Sequence, residues 1–350
     1  MTSKNLKWPR LLLLATLCLI LSFGLIGCKT DDVPPSGNGV EGNGEGRPPE
    51  TVVPVRVASL RGPTSIGLVN FMDKVEQSAG KPFIGDYQFS VYGTADEILP
   101  QIVSGDIDIA LLPTNVAAIL YNRTEGGVTV ININTLGVLY IVSADDSITS
   151  LGDLKDRTVL MSGKGTTPDL VMNYLLAENY LTDRVTLEYK SEATELAAII
   201  NSDPTAIALL PEPYVTSVIS KNPELAARIS IADEWRQSLE GRPLVTSVTV
   251  VRTEFLAEYP DVVDEFLSYH RLSVDVANLN AATTAQLVVH YGIMDDAAVV
   301  EQAIPRCYLV CLTGEDMRTA AELYLGVIFE ADPAQLGGSL PGDDFYYLGG

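Results

Sequence analysis

Two loops of this chain hold the residue types best suited to chemistry. Arg61-Gly62-Pro63-Thr64-Ser65 makes a sharp turn into a stretch predicted to be helical over 66–78. Thr64 or Ser65 can cap that helix, and Gly67 lets another group approach its backbone closely. Free N–H groups at such a terminus, with the helix dipole behind them, attract an anionic or polar group. Ser162-Gly163-Lys164-Gly165-Thr166-Thr167-Pro168 is the counterpart, a Gly-rich turn ahead of a helix predicted over 169–179. It is not a nucleotide loop. A P-loop needs Ser or Thr directly after its Gly-Lys, and Gly165 follows Lys164; a dinucleotide fingerprint needs a third Gly where Pro168 stands. Covalent chemistry finds little support elsewhere. The two histidines, His270 and His290, both fall in helical stretches. There is no Ser-centred nucleophile elbow, and no Cys, His or carboxylate cluster has metal-ligand spacing. Asp145-Asp146 and Asp343-Asp344 read as solvated turns. The expectation is a binder with no catalytic residue, no metal and no cofactor.

The elements that must position these loops come in duplicate. Ile109-Ala110-Leu111-Leu112-Pro113 recurs as Ile207-Ala208-Leu209-Leu210-Pro211. The match extends upstream without a gap, Glu97-Ile98 falling on Glu195-Leu196, Ile102 on Ile200 and Ser104 on Ser202. Each copy reads as an amphipathic helix, a turn, and an all-apolar strand stopped by Pro. Such a strand suits the buried centre of a parallel sheet. Thr114-Asn115 follows one copy and Glu212-Pro213 the other, and both suit the opening of a helix. Ligands of open α/β sheets bind just past the carboxyl ends of the strands. Further strands are predicted over 55–60, 89–92, 128–133, 137–142, 158–161 and 245–251, with Gly93-Thr94 opening the helix before the first copy. A helix-like stretch is predicted over 148–155, and from 253 onward the chain is mainly helical, ending in a Gly- and Asp-rich arm over 337–350.

The fold expected is therefore α/β, with two lobes that are each a mostly parallel sheet flanked by helices, facing a hinged cleft. Lobe 1 comprises 55–143 and 249–350 and lobe 2 comprises 144–248, with hinges near 142–144 and 248–250.

The first residues belong to another task. Lys4, Lys7 and Arg10 precede an apolar run over 11–26 that ends at Leu25-Ile26-Gly27-Cys28. This describes an export signal over 1–27, too short for the ~20 residues a spanning helix needs. Residues 29–54 carry Gly, Pro, Asn and Glu with few apolar side chains, as a flexible tether does. Removing the leader leaves 20 basic residues against 45 acidic ones, a net charge of −25. That excludes nucleic acid as a partner and keeps the body off anionic lipid. Cys18 leaves with the signal, so Cys307 and Cys311 are the cysteines of the body. Along a strand their sulfurs would stand about 13 Å apart, at ~3.3 Å per residue, whereas on a helix their separation is marginal for a bridge; two buried thiols are the expectation.

Leu-Ile-Gly-Cys resembles the bacterial lipobox, which makes Cys28 the lipidated mature terminus. The body resembles the substrate-binding proteins of ABC importers, in the nitrate/sulfonate/taurine-like group with the type II periplasmic-binding fold. Residues 148–159, Ile-Thr-Ser-Leu-Gly-Asp-Leu-Lys-Asp-Arg-Thr-Val, look like the group's "s-l-x-D-L-K-G-K-x-V" segment. The Gly163–Thr167 loop, Leu210-Pro211-Glu212-Pro213-Tyr214 and the Val251–Pro260 segment follow at the expected places.

The resemblance implies a ligand held between the lobes by Arg61, Gly62, Pro63, Thr64, Ser65, Gly93, Thr94, Thr114 and Asn115 on one side. Gly163, Lys164, Gly165, Thr166, Thr167, Glu212 and Tyr214 would hold it from the other. Arg61 and Lys164 together favour a carboxylate or sulfonate, whereas Glu212 favours a cationic amine or ring nitrogen. Tyr92, Tyr214 and Trp235 could stack on a flat ligand. The partners implied are a small-molecule solute and an ABC permease with its ATPase. The protein would be a monomer at the extracytoplasmic face of the membrane, touching it through the lipid alone. The competing expectations are a tethered sensor or interaction protein without a permease, and a cleft enzyme on the same fold.

Overall fold

Both Ile-Ala-Leu-Leu-Pro segments are strands, with four buried aliphatic residues and a half-buried proline in each. The computed structural model describes residues 52–78 and 83–349. The expected leader, the lipidated Cys28 and the tether as far as residue 51 lie outside the described residues. The tether was expected to run to residue 54, but the first strand already begins at Val53.

The first part of the chain reads β1 (Val53–Leu60), α1 (Pro63–Ile66), α2 (Val69–Gln77), β2 (Gly85–Tyr92), α3 (Ala95–Ser104), β3 (Ile109–Pro113), α4 (Thr114–Arg123) and β4 (Val128–Thr135). The second reads β5 (Leu139–Ser143), β6 (Arg157–Ser162), α5 (Thr167–Glu178), β7 (Val185–Lys190), α6 (Ala193–Ser202), β8 (Ile207–Pro211), α7 (Tyr214–Lys221), β9 (Ala226–Ser230) and α8 (Ile231–Ser238). Then come β10 (Ser247–Arg252), α9 (Thr253–Glu258), α10 (Pro260–Leu279), α11 (Ala281–His290), α12 (Ala297–Ala303), β11 (Leu309–Leu312) and α13 (Gly314–Ala331). No described helix is long and apolar enough to cross a membrane.

The strands form two sheets of the same design. One runs β2-β1-β3-β10-β4-β11 and the other β7-β6-β8-β5-β9. β1 is parallel to β2 and to the repeated β3, as β6 is to β7 and to the repeated β8, with matching register: Val57 and Ala58 face Ile109 and Ala110, while Val159 and Leu160 face Ile207 and Ala208. The other neighbour of each repeated strand is antiparallel and arrives from elsewhere in the chain. Ser247 on β10 pairs with Pro113, and Leu139 on β5 pairs with Pro211. The sequence repeat is thus a structural one.

This exchange of strands corrects the expected boundaries. β5, assigned above to the first lobe, pairs only in the second sheet. Residues 142–144 and 248–250 lie in or beside buried strands, so the chain passes between sheets at 136–138 and 244–246 instead. The two crossings run side by side, Thr246 N–H donating to the Thr135 carbonyl at 3.1 Å. Gly137 is required there, because a Cβ on it would fall 2.3 Å from the Ala232 Cβ.

Aromatic and aliphatic side chains of α2 and α10, Phe71 and Phe266 among them, close one face of the first sheet over Val55, Val57, Ile109 and Leu111. On the other face a single apolar cluster continues from Leu112 and Ala117 into Met161, Val171, Trp235 and Tyr324, and so joins the two halves. Trp235 is fully buried, its ring 5.3 Å from that of Tyr174 and 5.5 Å from that of Tyr324. It fills the core and cannot stack on a ligand.

Two helices differ from expectation. The stretch 66–78 breaks at Gly67 and Leu68 into α1 and α2, where Val274 of α10 presses close. The stretch 148–155 is one 3-10 turn, Leu151–Leu154, held by reciprocal bonds between Ser150 and Asp153. Cys307 and Cys311 are buried free thiols.

Candidate functional site

The turn after β1 is shaped by Gly62, whose φ of 130° is a region L side chains rarely adopt. Pro63 then starts α1. Thr64 and Ser65 do not cap that helix, because their hydroxyls each donate to the Leu60 carbonyl at 2.6 Å and brace the turn from below. Arg61 reaches outward, Nη1 donating to the carbonyls of Gly292 at 2.7 Å and Ile293 at 3.3 Å.

The matching turn after β6 folds on two glycines with positive φ, Gly163 and Gly165. Thr166 Oγ1 donates to the Gly163 carbonyl at 2.6 Å, and Gly165 N–H donates to Asp169 Oδ2 at 2.7 Å. Asp169 also accepts from the Tyr189 hydroxyl at 2.7 Å, and burial together with that bond pushes Tyr189 up to about 12. Lys164 is exposed and its Nζ sits 5.2 Å from the Tyr189 ring centroid. It packs on its own half of the molecule instead of facing the other.

Between these turns the halves are stitched together. Asn115, at the start of α4, donates Nδ2 to the Gly165 carbonyl at 2.9 Å. Thr167 Oγ1 donates to the Thr246 carbonyl at 3.1 Å, and Thr114 Oγ1 to the Val245 carbonyl at 3.0 Å. A chamber of about 160 Å³ remains at the carboxyl ends of β1, β3, β6 and β8. Leu60, Arg61, Pro63 and Thr64 form one wall and Thr166, Thr167 and Pro168 the facing wall. Pro113 and Pro211 end the repeated strands there, and the crossings contribute Thr135, Val138, Leu139, Thr246 and Ser247. Arg61 also lines an adjoining cavity of about 350 Å³, where Tyr214 and Ser217 of α7 face the turn at 292–296. Larger depressions of about 510 and 630 Å³ run along helices, between α2 and α10 and between α5 and α13.

Of the residues proposed from sequence, Arg61, Pro63, Thr64, Thr166 and Thr167 line the chamber, and Tyr214 lines its neighbour. Gly62 and Ser65 shape the first turn, Gly163 and Gly165 the second, while Thr114 and Asn115 hold the halves together. Gly93 and Thr94 serve the start of α3: their N–H groups donate to Glu97 Oε1 at 3.2 and 2.9 Å. A Cβ on Gly93 would fall 2.7 Å from Glu192 Oε1 of the other half. Glu212 is fully buried, accepting from Thr216 N–H at 3.1 Å and Oγ1 at 2.8 Å, with Arg306 Nη2 3.0 Å from its other oxygen. Burial raises its pKa despite the opposing pull of Arg306 and Thr216. Tyr92 donates its hydroxyl to Gln101 at 3.1 Å. The lining residues missed from sequence are chiefly those of the crossings. Their one signal was the strand-like stretches 137–142 and 245–251, which carry no motif.

Residues 68–271 match the family model described as ABC transporter, phosphonate, periplasmic substrate-binding protein. A solved ABC transporter structure from Parabacteroides distasonis superposes with a TM-score of 0.70 at 24% identity, covering 85% of this chain and 99% of that one. The alkanesulfonate-binding protein of Xanthomonas axonopodis pv. citri, solved with MOPS bound, gives a TM-score of 0.63 at 13% identity, covering 83% of this chain and 95% of that one. The periplasmic aliphatic sulphonate binding protein of Escherichia coli gives 0.65 at 12% identity, covering 80% and 93%. Comparison with curated proteins finds none that matches.

Proposed function

Because the chain belongs to the ABC transporter periplasmic substrate-binding family, we propose that it captures a small solute in the chamber between its two sheets and delivers it to a membrane permease. The observation that carries this reading is the chamber itself: its walls come from both halves and meet where the carboxyl ends of equivalent strands converge. The crossings at 136–138 and 244–246 connect the halves, so opening about them would admit the solute and closing would bury it. On this reading the halves are the two lobes of the binding protein, 139–246 forming the second and the remainder of the described body the first. The Leu-Ile-Gly-Cys stretch supports export and lipidation at Cys28, followed by a tether that keeps the body near a permease and its ATPase.

The matching family model describes a periplasmic substrate-binding protein, and this supports the receptor reading over a cleft enzyme. Two measurements test the proposal. Cys28→Ala is expected to move the protein from the membrane to the soluble fraction. Affinity purification of the full-length protein from gently solubilised membranes is expected to recover permease and ATPase subunits, and recovery of neither would favour a tethered sensor.

A further inference from the structure

The chamber at the strand ends is walled chiefly by hydrocarbon. Leu60, Pro63, Pro113, Pro168 and Pro211 line it as half-buried residues, and the prolines among them have no N–H to offer. The hydroxyls around them are engaged by the chain itself. Thr135 and Thr167 are buried. Thr166 donates to the Gly163 carbonyl at 2.6 Å, Thr246 to the Leu136 carbonyl at 2.7 Å and Thr64 to the Leu60 carbonyl at 2.6 Å. The amino ends of α1 and α4 open here at Pro63 and Pro113 without side-chain caps. However, α1 is a single turn that begins with Pro63, and the Thr114 N–H of α4 goes to the Thr246 carbonyl at 3.2 Å. These ends can meet an acceptor atom of an occupant, but the walls around it are apolar.

Size narrows the occupant further. At about 160 Å³ the chamber matches the roughly 150 Å³ of a dry apolar cavity that takes up benzene. Each methylene withdrawn from water into such a space is worth about fourfold in affinity.

The chemistry changes next door. Arg61 also lines the cavity of about 350 Å³, to which α6 and α7 contribute Thr194, Tyr214, Ser217 and Lys221. Asn201 of α6 lines it as well, and its Oδ1 is buried without a hydrogen-bond partner. A chamber with apolar walls thus stands beside a cavity furnished with hydrogen-bonding groups, and Arg61 belongs to both.

Granting the solute-binding proposal, we infer that the solute is two-ended. An apolar group, about the size of a benzene ring or a five-carbon chain, fills the chamber. A polar end lies past Arg61 in the adjoining cavity. A small inorganic ion or a sugar, polar on every side, does not meet this description.

Isothermal titration of the full-length protein tests it with three pairs of probes that share a head and differ in length: ethanesulfonate and pentanesulfonate, acetate and pentanoate, ethylammonium and pentylammonium. For at least one head the five-carbon member is expected to bind at least ten times more tightly than the two-carbon member. Leu60→Asn and Pro168→Asn each put an amide on one wall, and in both the gain is expected to fall below about threefold, with the melting temperature reporting that the variant is folded. A gain below tenfold for every head, no binding of any probe, or a gain undiminished in the folded variants overturns the inference. Native mass spectrometry of the wild-type protein keeps the two claims apart. A retained solute that is polar on every side would overturn the inference and leave solute binding standing, whereas one with an alkyl or aryl group would support both.

Discussion

Two buried carboxylates flank the repeated strands, and their surroundings are opposite. Asp108 immediately precedes Ile109, at the amino end of β3. It accepts four bonds: three from Arg56, through N, Nε and Nη2 at 2.8–2.9 Å, and one from Arg252 Nη2 at 2.8 Å. Burial alone would raise its pKa, but the Arg56 and Arg252 bonds outweigh burial and hold it below the usual range. Glu212 immediately follows Pro211, at the carboxyl end of β8. It has Thr216 and one half-exposed arginine, and burial prevails. The copies themselves diverge at these places: Ala206 stands where Asp108 does, and Thr114 where Glu212 does. One end of the strands is saturated with donors and serves stability. The other end, where Pro211 reaches the chamber, leaves its buried carboxylate with fewer donors.

The contrast can be broken at its strongest point first. Asp108→Ala strands two arginines beside the sheet and is expected to cost about 2–4 kcal/mol in denaturant unfolding, somewhat under the range for a fully buried pair because both arginines reach solvent. A loss under about 1 kcal/mol would show that the arginines re-solvate freely. Asp108→Asn should flatten the acid side of the stability profile. With a lowered folded pKa, Asp108 contributes fully above the ordinary aspartate range and loses that contribution as pH falls through the folded value.

Glu212 has the reverse sign. With a raised folded pKa, its protonated form is favoured in the folded state, so stability falls as pH rises from the ordinary glutamate range through the folded value. Glu212→Gln is expected to remove that fall. Profiles with the same slope for wild type and variant would contradict the assignment. Asn115→Ala removes the bond to the Gly165 carbonyl that joins the halves, an expected loss of about 1–2 kcal/mol. Lys164→Ala, on an exposed cation–π contact, is expected to leave the melting temperature and solute affinity unchanged.

How much of this was visible in the sequence follows from the reach of each interaction. The repeat announced two equivalent central strands because a buried strand between turns is a local pattern. The turns at Arg61 and Gly163 were found for the same reason, and six of their residues line the chamber. What the sequence could not reveal is where each polar group finds its partner. Thr94 is absorbed by Glu97 and Asn115 by Gly165, while Lys164 turns to Tyr189. Thr135, Thr246 and Ser247 reach the chamber only because β5 and β10 exchange sheets, an arrangement set by contacts more than a hundred residues apart. Trp235 resembled a stacking platform until α13 covered it.

The central claim, that this chamber holds a solute, is tested most directly by native mass spectrometry of the full-length protein purified without denaturation. A small added mass that vanishes on unfolding, and that is lost in a Thr167→Trp variant that stays folded, is the result expected. The same mass retained in that variant would place the solute elsewhere and contradict the account.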